Sequence, residues 1–159
     1  MKITANQFIE EIKSVIKREG IEDLLDYITK ETDFFKAPAS SEFHLACEGG
    51  LAEHSWNVYQ ALKGISGKYT PDIPLESVAI TGMFHDLCKA NFYKNDFRNK
   101  KINGKWEKVP YYAIEDQDPF GHGEKSVIIL QQYIKLTKEE ILEREWIMDK
   151  ELEELNETD

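Results

Sequence analysis

At 159 residues the chain fits one domain with room for a sizeable core, and 41% hydrophobic with 31% charged residues excludes a disordered polymer. No apolar run reaches the roughly 18 residues of a membrane span. The net charge of −10 argues against tight, nonspecific binding of duplex nucleic acid, which requires many phosphates to be neutralised.

That charge is unevenly placed: from Lys138 onward ten acidic residues face three basic ones, and the rest of the chain is close to neutral. The N-terminal MKITANQFIEEIK lacks the apolar core of a signal peptide. Cys47 and Cys88 show no metal-type spacing, which predicts no disulfide framework. Together these features predict a cytoplasmic protein.

In chain order, Phe8, Ile9, Ile12, Val15 and Ile16 recur at helical spacing from Ala5 to about Arg18, and Gly20 supplies a stop. IEDLLDYITKE predicts a second helix. DFFKAPASSEFHLACEGG, with Pro, Ser and paired Gly, reads as a structured loop. A third helix spans about Leu51 to Ile65, with Leu51, His54, Val58, Leu62 and Ile65 on one face. The fourth opens at Pro74 and is expected to run to about Ala90.

Asn103-Gly104, flanked by KKI and KWEKV, predicts a tight β-hairpin within 92–113. A fifth helix is expected from near Gly123 through VIILQQYI. The last opens on T-K-E-E at Thr137 to Glu140, a capping-box pattern, and extends towards Leu155.

The chemistry concentrates in FHDLCK, Phe84 to Lys89, inside the most apolar helix of the chain. A buried aspartate costs several kcal/mol unless compensated, at roughly the scale set by charge desolvation. Two compensations stand side by side: Lys89, three residues on, pairing with Asp86, or a metal ion. The metal also gives His85 and His54 a task. Imidazole and carboxylate suit Mn, Fe, Co, Ni or Zn, with Mg as a further candidate. His85 and Asp86 lie about 100° apart on a regular helix, so both reach one ion only at a cavity rim.

The ordered set of His54, FHDLCK and GHGEKS (Gly121 to Ser126) resembles the HD-domain superfamily of metal-dependent phosphohydrolases. Upstream, APASSEFHLACEGGLAEHSWNV resembles the branch that includes bacterial 3′–5′ exoribonuclease HD domains and phage-type HD hydrolases. The similarity runs from Phe34 to Leu136, about two thirds of the chain.

The resemblance implies metal ligands at His54, His85 and Asp86, with His122 at the position that helps hold a second ion in dinuclear members, and a catalytic role for Asp86; the departures below favour one ion over two. It implies that Lys89 meets the substrate phosphate and that His44 supports the site or contacts substrate. Glu124 falls in the GHGEKS block without an assigned role. Two departures accompany it. Where the branch carries a histidine in a WHM-like block, EWIMDK places Ile147, and the distal aspartate of the pattern has only Asp149 as a substitute.

Lys94, Arg98, Lys100, Lys101, Lys105 and Lys108 give the hairpin region a local positive excess over Asp96 and Glu107. Interleaved with Phe92, Tyr93, Phe97 and Trp106, they can be an ordinary hairpin surface or a substrate contact through Lys94 and Arg98.

The expected fold is an all-α HD-domain helical bundle with one small β-hairpin insert, in a single domain over 1–159. It comprises N-terminal helices in 1–32, a core in 33–136 and an acidic helix in 137–159. The expected function is hydrolysis of a phosphomonoester or phosphodiester in a nucleotide or short oligonucleotide. No duplex or membrane partner is expected, and a homodimer is a candidate state. The alternative, favoured by Ile147, is a degraded HD domain that binds a nucleotide or protein partner without turnover.

Overall fold

The computed structural model describes residues 3–41, 45–114 and 122–141, with the side chains of His122 and Gly123 outside the described set. His44, Ile147, Asp149 and the acidic stretch beyond 141 also lie outside the described residues.

Helix α1 (Ala5–Val15) starts at Thr4, whose hydroxyl accepts the Gln7 N–H while the Gln7 side chain accepts the Thr4 N–H. Its apolar stripe buries Phe8 and Ile12, and the Phe8 ring packs edge-on against Phe34 and Phe35. Helix α2 (Ile21–Asp26) passes into a single π-helical turn, Tyr27–Glu31, so the second expected helix is present but changes winding halfway. Helix α3 (Gly50–Tyr69) outruns the expected span and buries Leu51, His54, Ser55, Val58, Tyr59 and Leu62.

Helix α4 (Leu75–Phe84) is where expectation and structure part. The chain leaves the helix at the histidine-aspartate doublet: His85 is the C-cap, and Asp86 adopts φ −109°, ψ 24° before a 3-10 turn, Leu87–Lys89. The cause is tertiary. The Cys88 N–H donates 3.1 Å to the buried Ser126 hydroxyl on α5 (His122–Gln131), and Lys89 N–H turns to the Asp86 carbonyl at 2.9 Å. The doublet therefore sits at a break after the helix and not in its middle.

Strands β1 (Tyr93–Ile102) and β2 (Lys105–Ile114) pair antiparallel, in register from Tyr93↔Ile114 to Ile102↔Lys105. Asn103 and Gly104 turn between them at φ 52° and 83°, as the Asn-Gly signal requires. Each strand has ten residues, roughly twice the usual length. This overturns the expected all-α bundle: among the described residues 53% are helical and 16% lie in strands, a mixed architecture. The reason is local. Tyr, Phe, Ile, Trp and Val recur from Tyr93 to Ile114 at spacings that favour pleated backbone over a helix.

The capping box at Thr137 forms as read: Thr137 N–H donates 2.7 Å to the Glu140 carboxylate, and Glu140 N–H returns 3.2 Å to the Thr137 hydroxyl. Arg18 grips that same carboxylate with both terminal nitrogens, at 2.5 and 2.6 Å, and reaches Glu76 at the start of α4 through Nε at 3.0 Å. One guanidinium thus ties together three chain segments. Among the described residues, no helix is long and apolar enough to cross a membrane.

Candidate metal centre

Helices α3 and α4 meet at Gly82. A Cβ there would stand 2.6 Å from the Tyr59 Cα, so only glycine permits so close an approach. His54 lies five residues before Tyr59 and His85 three after Gly82. The close crossing brings the two imidazoles together, Nε2 to Nε2 at 3.2 Å.

The His85 Nδ1 lies 2.8 Å from the Gly82 carbonyl, which sits in the last turn of α4, where carbonyls lose their helical donors. A carbonyl only accepts, so Nδ1 donates to it and Nε2 is turned inward.

Asp86 completes the group. Its Oδ2 lies 3.1 Å from His85 Nε2 and 3.5 Å from His54 Nε2, and the residue is only 7% exposed. The Lys89 ammonium stands 3.1 Å from the same oxygen and donates a second bond, 2.9 Å, to the Ala39 carbonyl. Burial pushes the Asp86 carboxyl up, but the His85 ring, hydrogen bonds from His54 and His85, and the Lys89 charge outweigh it. They hold the group well below the usual carboxylate range.

The donor set fits a divalent cation. Three electron-rich atoms, two imidazole nitrogens and a carboxylate oxygen, converge in the interior, all within 4.8 Å of one another. Ligands about 2.0–2.2 Å from a common ion lie roughly 2.8–3.6 Å apart for right-angle to tetrahedral geometry. The observed separations of 3.1, 3.2 and 3.5 Å fall in that interval. His54, His85 and Asp86 therefore form a buried group that can hold a metal ion.

His122 opens α5, whose Ser126 supports the turn after Asp86, but its side chain lies outside the described residues, as does all of His44. Lys94 and Arg98 are exposed on β1, Arg98 with its guanidinium 5.1 Å above the Tyr111 ring. By strand alternation both occupy the face opposite Tyr93. Glu124 is exposed in the first turn of α5.

Three supporting groups had no assigned role in the sequence: the Gly82 and Ala39 carbonyls and the Ser126 hydroxyl. Burial, then the charges of Asp86 and Cys88, push the Tyr93 hydroxyl up to about 12. Gly82 had a readable signal, since glycine inside a strongly apolar helix marks close backbone approach. The Ala39 carbonyl had none, being a backbone atom of a loop.

No family model matches the chain, and no curated protein or solved structure matches it.

Proposed function

We propose that this protein is a metal-dependent phosphohydrolase of the HD type, acting on a phosphoester in a nucleotide or short oligonucleotide. The observation that carries the reading is the convergence of His54 Nε2, His85 Nε2 and Asp86 Oδ2, with the Lys89 ammonium beside them. His54, His85 and Asp86 would hold the ion, with Mn, Fe, Co, Ni or Zn the candidates for this nitrogen-oxygen set. When bound, such an ion supplies positive charge to phosphoryl oxygens and acidifies a coordinated water.

The chain's own residues do the rest. The Gly82 carbonyl anchors the His85 ring through Nδ1, so that Nε2 faces Asp86, to which it donates without an ion; after losing that proton it would ligate one. Lys89, steadied by the Ala39 carbonyl, offers a charge that can turn from Asp86 to an incoming phosphate oxygen. Burial of Asp86 and both histidines keeps water from screening these charges.

A second reading has its own support: Lys89 already neutralises Asp86 at 3.1 Å. A lysine standing in for the cation suits a domain that binds a nucleotide or protein without turnover. Elemental analysis of purified protein, followed by a phosphoester screen with Mn or Ni, separates the two. Turnover that disappears in Asp86→Ala supports the hydrolase. Metal-free protein with no turnover on any phosphoester supports the binding domain.

A further inference from the structure

The register of the hairpin sorts its side chains onto two unlike faces. One carries Tyr93, Phe97 and Lys101 from β1, with Trp106, Lys108 and Tyr112 from β2. Ring contacts agree with this division: Tyr93 and Tyr112 lie 6.4 Å apart on this face, while Arg98 covers Tyr111 on the other. Both acidic residues of the strands, Asp96 and Glu107, fall on the face of Arg98. The Tyr93 face therefore holds lysines and aromatic rings with no carboxylate.

Two aromatic side chains of that face, Phe97 and Trp106, are not spent on packing. Phe97 is 65% exposed and Trp106 72%, whereas the other large aromatics among the described residues, apart from Tyr69, are mostly covered. The face begins at the candidate centre: the Phe92 N–H bonds the Lys89 carbonyl at 3.2 Å, and Tyr93 follows directly. From Tyr93 to the Lys101–Trp106 pair the strand extends about 27 Å at the usual rise. That is far longer than one nucleotide.

We infer that the Tyr93–Trp106 face of the hairpin is a binding platform for single-stranded nucleic acid. Bases stack on Phe97 and Trp106, Lys101 and Lys108 meet phosphates, and one end of the strand is directed to the His54–His85–Asp86 centre. Stacking on exposed rings is indifferent to base identity, so the platform selects strandedness and length above sequence. A duplex hides its base faces and is not accepted. The net charge of −10 works against any polyanion, so the charge complementarity is confined to this arm. The inference deepens the phosphohydrolase reading and rests on it for the direction of the strand.

The test uses the full chain and labelled oligouridylate and oligothymidylate of about ten nucleotides, followed by fluorescence anisotropy with EDTA present. Binding is expected to be tighter than for a labelled mononucleotide and to weaken with salt. Phe97→Ala and Trp106→Ala are each expected to weaken it on the order of tenfold. Lys101→Gln with Lys108→Gln is expected to reduce the salt slope by about 1.4. Since the altered side chains are exposed, an unchanged melting temperature certifies the fold.

No oligonucleotide binding, or binding that the aromatic variants leave untouched, overturns the inference. So does retention on phosphatidylserine vesicles without oligonucleotide binding, which would make the face a lipid contact. Oligonucleotide binding in EDTA without hydrolysis in Mn or Ni upholds the platform and counts against the hydrolase. Hydrolysis of p-nitrophenyl phosphate without oligonucleotide binding does the reverse.

Discussion

Gly82 and Tyr59 touch backbone to backbone, and a methyl group between them would stand 2.6 Å from the Tyr59 Cα. Because the neighbour is main chain, it cannot swing aside. Gly82→Ala gains up to about 1 kcal/mol of helix propensity. Overpacking costs about 1–3 kcal/mol. A net loss of stability in urea denaturation is expected, together with weaker metal binding as His54 draws away from His85. A variant as stable as the parent, with equal metal affinity, would remove this crossing as the origin of the site.

Metal binding to the native state alone should raise stability in proportion to its concentration. At a hundredfold excess over Kd the gain is about 2.7 kcal/mol. His54→Ala and Asp86→Asn should each lose most of the metal-induced rise in melting temperature with Mn, Ni or Zn. An undiminished rise in both variants would mean that the cation binds elsewhere.

Ser126 is buried and accepts the Cys88 N–H, holding the chain out of helix just after Asp86. Ser126→Ala leaves that buried donor without its partner, at a cost of about 1–3 kcal/mol. Hydrogen exchange at Cys88 and Lys89 should accelerate more than exchange in α1. Uniform protection across both regions would contradict the support assigned to Ser126.

The Glu140 carboxyl gives a pH dependence with a definite sign. Burial pushes it up, but hydrogen bonds from Arg18, the Thr137 backbone and Ser77 outweigh this and hold it below the usual range. A depressed folded value means the unfolded chain binds protons first as pH falls, so stability rises with pH across this window. The contribution is complete above the unfolded value, near 4.3, and is lost as pH drops through the lower folded value. Glu140→Gln should lower stability at pH 7 and flatten the acid limb below about pH 5. Identical acid limbs for the variant and the parent would refute the assignment.

Where a signal is short-range, the sequence carried it well. Asn103-Gly104 announces its own turn because only residues tolerant of positive φ fit there, and both adopt it. Thr137 and Glu140 satisfy each other's N–H groups within one helical turn, so the cap needs nothing distant. His54, His85 and Asp86 were also legible, since apolar neighbours make a charged or imidazole side chain conspicuous. The extent of the strands was less so, because charged residues alternate with β-formers along a hairpin largely open to solvent.

By itself, then, the sequence determined the apolar stripes, the Asn-Gly turn, the capping box at Thr137 and the identity of the buried ligand-type side chains. Each rests on chemistry within a few residues. Only the tertiary structure decided that α4 stops at Phe84 and that Lys89 reaches Ala39, and it alone set the spacing of the imidazoles. Those depend on a hydroxyl on α5, a loop carbonyl and the backbone of α3, partners separated along the chain and joined only by packing.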